Sequence, residues 1–169
     1  TKIHVNVVKG YLLPKTSNSD TLVVIISVSG NTIETLSVLE SAQKLKCKII
    51  AFSSGGKIQE FCVKNNIKHK TVSKFHSPRA TFTSYLYTIL KVLHQTLNIK
   101  EKDILESIKK LDELNKNINS SNLTNNNPSL NLAKWITNIP IIYYPFGLQA
   151  AAIRFKNSLQ ENCKIHAIA

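Results

Sequence analysis

Nowhere in the 169 residues does an apolar run reach the length of about 18 that a bilayer-spanning helix needs. The N-terminal stretch also lacks the basic, apolar and small-residue order of a signal peptide, so a cytoplasmic protein with no membrane partner is expected. Cysteine is scarce. Cys47, Cys62 and Cys163 are odd in number and not spaced as metal ligands, which predicts reduced, buried thiols and no metal site. Glycine is scarce as well, and its five copies fall neither in the spacing of a P-loop nor in the three-glycine pattern of a dinucleotide turn. A nucleotide cofactor is therefore not expected. Acidic residues number only 10 against 22 lysines and arginines, a net charge of +12. The lysines do not cluster with aromatic residues but spread over helix faces, so the excess reads as a solvated basic surface that attracts anionic substrates, not as a nucleic-acid interface.

What is present is an alternation of short apolar runs with helical periods. Residues 3–8, 22–26, 48–52 and 67–72 read as strands, the second of them buried on both faces. Residues 31–45 carry Ile33, Leu36, Leu39, Ala42 and Leu45 at helix spacing, and 57–64 form a second helical segment. This order predicts a parallel sheet flanked by helices, an α/β architecture. Beyond Ser77-Pro78 comes a helix with Phe82, Tyr85, Leu86, Ile89, Leu90, Leu93 and Leu97 in register. Another follows, with Ile104, Leu105, Ile108, Leu111 and Leu114 on its buried face. Residues 115–127 are rich in Asn and Ser, lack any period, and read as a mobile connection. After Pro128 a helix through Trp135, a strand at 139–144 and a helix bearing Ala151, Ala152, Phe155 and Leu159 start a second βα unit. A single strand and helix cannot close a sheet, so this unit reads as the opening of a second domain.

The run Ile25-Ile26-Ser27-Val28-Ser29-Gly30-Asn31-Thr32 concentrates the chemistry. It places three hydroxyls and a glycine where a buried strand hands over to a helix. The unpaired N–H groups and positive dipole end of a helix N-terminus favour an anion there. Ser27, Ser29 and Thr32 can each donate a hydrogen bond to it, and Gly30 permits a positive φ and a close backbone approach. A plainer role is helix capping by Ser29 or Asn31, both favoured N-cap types.

Four segments in order carry a family resemblance: Ser27-Val28-Ser29-Gly30-Asn31-Thr32-Ile33-Glu34-Thr35, Ser53-Ser54-Gly55-Gly56, Ser77-Pro78-Arg79-Ala80, and Arg154-Phe155-Lys156-Asn157-Ser158-Leu159-Gln160-Glu161-Asn162. The chain resembles the sugar isomerase (SIS) fold and, within it, the archaeal-type bifunctional phosphoglucose/phosphomannose isomerases. That resemblance implies an SIS-type parallel sheet in residues 1–98, a helix and Asn-rich linker in 99–127, and the start of a second SIS-like domain in 128–169. It also implies interconversion of glucose 6-phosphate, and mannose 6-phosphate, with fructose 6-phosphate through a cis-enediol, with no metal or other cofactor. By matched position Ser27, Ser29, Gly30, Asn31 and Thr32 would hold the phosphate, Arg79 would stabilise the enediolate, and Glu161 would carry the proton. A homodimer is implied too.

The chemistry asks for the same parts: one carboxylate that takes a proton from one carbon and returns it to the next, and a fixed positive charge near the oxyanion. The family's first Gly/Ser-rich loop would precede Thr1 and its ring-opening histidine would lie beyond Ala169. His166 does not match that histidine. The chain is therefore expected to be a middle portion of a two-domain enzyme, with little turnover by itself. A non-catalytic SIS module that senses a sugar phosphate is the rival reading, and it would need neither Arg79 nor Glu161.

Overall fold

The computed structural model describes residues 3–169 and divides the chain into two compact units, Thr1–Glu106 and Ser107–Ala169. The first unit opens its regular structure with β1 (Leu22–Ser27), α1 (Ile33–Lys44), β2 (Lys48–Ser53), α2 (Gly56–Lys64) and β3 (Lys68–Thr71). The three strands pair in parallel in the order β1-β2-β3, with Ser27 opposite Ser53 at the carboxyl ends. Side chains alternate across the sheet. Val23, Ile25 and Ala51 pack on one face with Val38, Leu39 and Ala42 of α1 and Ile58 and Cys62 of α2. Ile50, Phe52 and Val72 face the other way, onto Tyr85 and Leu93 of α3 (Phe82–Leu93). Leu39, Phe52 and Ile58 are fully buried, and each such side chain contributes about 2 kcal/mol of hydrophobic stabilisation. The α/β architecture expected from the sequence is thus the one observed.

Several expectations need correction. Residues 3–8 form no strand: Ile3, Val5, Val7 and Val8 are exposed and have no ladder partner among the described residues. Alternating apolar residues do not make a strand without a neighbour to take their backbone hydrogen bonds. β1 is buried well on one face only, because the apolar cluster on its other face takes in Val24 but not Leu22 or Ile26, which remain 40% and 48% exposed. The buried stripe of α1 is Val38, Leu39 and Ala42, while Ile33 and Leu45 are exposed. In α4 (Glu101–Ile118) only Ile104 is buried; Leu105, Ile108, Leu111 and Leu114 are exposed, since neither apolar cluster extends to them. Of the three free thiols Cys62 is buried, Cys47 half-buried and Cys163 exposed.

The second unit contains α5 (Pro128–Trp135), α6 (Gln149–Ser158) and a π-helical turn, Leu159–Cys163. The strand expected at 139–144 shrinks to one parallel bridge between Ile141 and Ile168. Pro140 has no N–H to give, and Ile168 is the partner of this segment among the described residues. The Asn-rich run is not an unstructured connection. Its first residues extend α4, and the rest is tied by side-chain amides: Asn119 Nδ2 donates to the Asn115 carbonyl at 2.9 Å and Asn127 Nδ2 to the Asn122 carbonyl at 2.8 Å. Asn127 is buried, and its Oδ1 accepts from the N–H groups of Ser129 and Leu130, capping α5 ahead of Pro128.

Candidate functional site

In parallel α/β sheets ligands settle beyond the carboxyl ends of the strands, and that is where the hydroxyl-rich loop lies. Ser27, the last residue of β1, is buried, and its Oγ stands 2.9 Å from Thr32 Oγ1. The same Oγ accepts from the Gly30 N–H at 3.1 Å. Gly30 turns the chain with φ +71°, and a Cβ placed there would stand 1.8 Å from the Gly55 carbonyl oxygen, so a side chain cannot fit. Thr32 is the N-cap of α1 by position, but no side chain caps this helix. The capping alternative therefore does not hold for Ser29 or Asn31. Ser29 Oγ accepts from the Asn31 N–H at 3.2 Å, and Asn31 Oδ1 reaches across to accept from the Lys57 N–H at 3.1 Å.

An open cleft of about 490 Å³ runs along this loop, lined by Ser27, Ser29, Thr32, Thr35, Lys74 and His76 among others. Three of the five expected phosphate-loop residues thus face one cavity. Gly30 and Asn31 do not line it but fasten the loop from behind. Lys74 and His76 were not singled out in the sequence; they arrive from the connection after β3, and no motif marks them. The cleft wall is braced below by Tyr85, whose single hydroxyl proton is shared between the carbonyls of Ser27 and Val28 at 3.2 and 3.4 Å. Burial pushes the Tyr85 phenol above its ordinary pKa.

Arg79 begins a 3₁₀ turn, Arg79–Thr81, directly after Pro78, which lines the cleft. Its own side chain is exposed and is not part of that lining. The turn is held by Thr81, a fully buried residue the sequence did not flag, whose hydroxyl donates to the Ser77 carbonyl at 2.8 Å and accepts from the Phe75 N–H at 3.3 Å. Glu161 lies in the π-helical turn of the second unit, exposed. Arg79 and Glu161 belong to different units, and the phosphate-loop residues share the unit of Arg79. No group of three His, Cys, Asp or Glu side chains among the described residues could hold a metal.

Residues 125–169 match the family model of the bacterial phospho-glucose isomerase C-terminal SIS domain. A bifunctional phosphoglucose/phosphomannose isomerase of Caldicellulosiruptor bescii is 35% identical over 96% of this chain and 49% of its own length. The chain is similar to SIS-domain phosphosugar isomerases. The enzyme of the same name from Thermoplasma acidophilum is 32% identical over 93% of the chain and 47% of its own length. A D-glucosamine-6-phosphate 4-epimerase of Sulfolobus acidocaldarius is also 32% identical, over 89% and 47%. The fold is shared with a crystal structure of a proposed phosphosugar isomerase from Clostridium difficile 630, at TM-score 0.54 and 18% identity over 91% of this chain and 46% of that one. The chain thus spans about half the length of the curated relatives it matches.

Proposed function

We propose that the chain forms part of an aldose–ketose isomerase that interconverts glucose 6-phosphate, and mannose 6-phosphate, with fructose 6-phosphate. The observation that carries this reading is the cleft at the carboxyl end of β1, where Ser27, Ser29 and Thr32 meet Lys74 beside a helix N-terminus that no side chain caps. Those groups suit a phosphomonoester: hydroxyls and backbone N–H groups donate to its oxygens, and an ammonium balances its charge. Gly30 and Asn31 serve the site by holding the loop in place.

With the phosphate anchored, the sugar carbons need one base and one fixed cation. Glu161 takes the C2 proton of the open-chain aldose as electron density moves onto O1; the O2 proton passes to O1, and Glu161 returns its proton to C1 of the cis-enediolate as the C2 carbonyl of the ketose forms. Arg79 stabilises the negative charge on that intermediate. Domains at 1–98 and 128–169 joined by 99–127, a homodimeric assembly and a cytoplasmic location complete the proposal. A sensing SIS module would bind the sugar phosphate without turnover. The relationship to a 4-epimerase supplies a second chemistry on a related ligand.

The test is turnover by the full-length protein that carries this chain. Fructose 6-phosphate should be converted to glucose 6-phosphate, and glucosamine 6-phosphate should be left unchanged. Binding of fructose 6-phosphate without conversion would establish the sensing module instead, and C4 epimerisation of glucosamine 6-phosphate would establish the epimerase.

A further inference from the structure

The loop that lines the cleft is not held by its own residues alone. A second turn, Ser53-Ser54-Gly55-Gly56-Lys57, clasps it from behind: the Ser54 N–H donates to the Val28 carbonyl at 3.2 Å, the Lys57 N–H to Asn31 Oδ1 at 3.1 Å, and the Gly55 carbonyl occupies the space against Gly30 where a side chain would stand. The second turn is anchored in its turn by Ser53, whose side chain is fully buried. Ser53 Oγ lies 2.8 Å from the Gly55 carbonyl oxygen, 3.3 Å from the Gly55 nitrogen and 2.8 Å from His69 Nε2 on β3.

The proton count fixes the direction of these bonds. A serine hydroxyl has one hydrogen to donate and two lone pairs. The Gly55 carbonyl can only accept, so it takes the serine proton. The Gly55 N–H can only donate, so it fills one lone pair. For all three bonds to exist, His69 must donate to the other lone pair, and its Nε2 must carry a hydrogen. A chain of contacts then runs from His69 through Ser53 to Gly55 and on to Gly30.

We propose that His69 is a positioning residue for the phosphate loop, donating from Nε2–H to Ser53 so that the Gly55 carbonyl is held against Gly30. It touches no substrate. Its link to sugar-phosphate binding rests on the proposed function, whereas its hold on the loop does not.

The experiment uses the full-length protein, ¹⁵N-labelled at histidine, with the variants His69→Gln, His69→Leu and Ser53→Ala. Gln can present an amide N–H near the Nε2 position, and Leu cannot. Nitrogen shifts of the neutral ring should show the Nε2–H tautomer at His69. Without ligand, hydrogen exchange followed by mass spectrometry should speed up at residues 27–32 and 53–57 in His69→Leu and in Ser53→Ala, and stay near wild type in His69→Gln. Affinity for fructose 6-phosphate should fall about tenfold in the first two, the loss of one well-placed hydrogen bond, and recover in the third. Wild-type protein that binds no fructose 6-phosphate would sink the functional reading and leave the exchange result to judge His69. An Nδ1–H tautomer overturns the proposal even if a variant does not fold. Exchange at 27–32 that is unchanged in Ser53→Ala, or equally fast in the Gln and Leu variants, overturns it too.

Discussion

Ser27 Oγ and Thr32 Oγ1 lie 2.9 Å apart, joining the end of β1 to the start of α1 across the turn at Gly30. Thr32 opens α1 without a side-chain cap bond, and both residues line the cleft. Replacing Ser29 and Thr32 by Ala should therefore weaken phosphosugar binding by about 1–3 kcal/mol, the range for lost hydrogen bonds to a charged group. Calorimetry on the folded double variant checks this, and unchanged affinity would count against the site.

Gly30→Ala should damage the fold as well as the site. Its φ of +71° disfavours a side chain, and the new methyl would meet the Gly55 carbonyl at 1.8 Å. A loss of about 1–3 kcal/mol or more, as for overpacked positions, is expected in denaturant unfolding. Wild-type stability for this variant would show that the two turns are not in contact.

Lys74→Ala should lower phosphosugar affinity with little change in melting temperature, because the side chain is exposed and lines the cleft. An effect of about 1 kcal/mol that shrinks as salt is raised is expected of an exposed charge. Titrations at low and high ionic strength measure it; a salt-independent effect would point to a structural role.

Burial holds the His69 imidazole below its ordinary pKa. The unfolded chain then binds the proton more readily than the folded one, so this group makes stability fall as pH drops below the unfolded value of about 6.5 and through the lower folded value. His69→Gln should flatten that part of the stability profile. Urea unfolding between neutral and mildly acid pH reads the difference, and identical profiles would show that His69 does not carry it.

The central elements of the first unit were legible because their signals are local. A strand such as 48–52, an apolar helix period and a hydroxyl-glycine turn between strand and helix need no distant partner to be recognised. What was missed depends on partners far along the chain. Residues 3–8 and 139–144 have strand-like composition, but pairing decides whether they are strands. Asn127 looked like part of a structureless run because amide side chains show no period, yet it caps α5 and ties two turns. Lys74 and His76 reach the cleft only because the chain after β3 returns along the carboxyl edge of the sheet. Arg79 and Glu161 came from resemblance, since nothing in their immediate spacing marks an oxyanion partner or a base.

The measurement closest to the central claim is deuterium uptake during isomerisation by the full-length protein in heavy water. Wild-type protein should convert fructose 6-phosphate to glucose 6-phosphate and place solvent deuterium on the carbon that receives the proton. Glu161→Gln should bind the same sugar phosphate, yet neither isomerise it nor exchange its C1 proton. Isomerisation by the Gln variant at a rate near that of wild type would contradict the account.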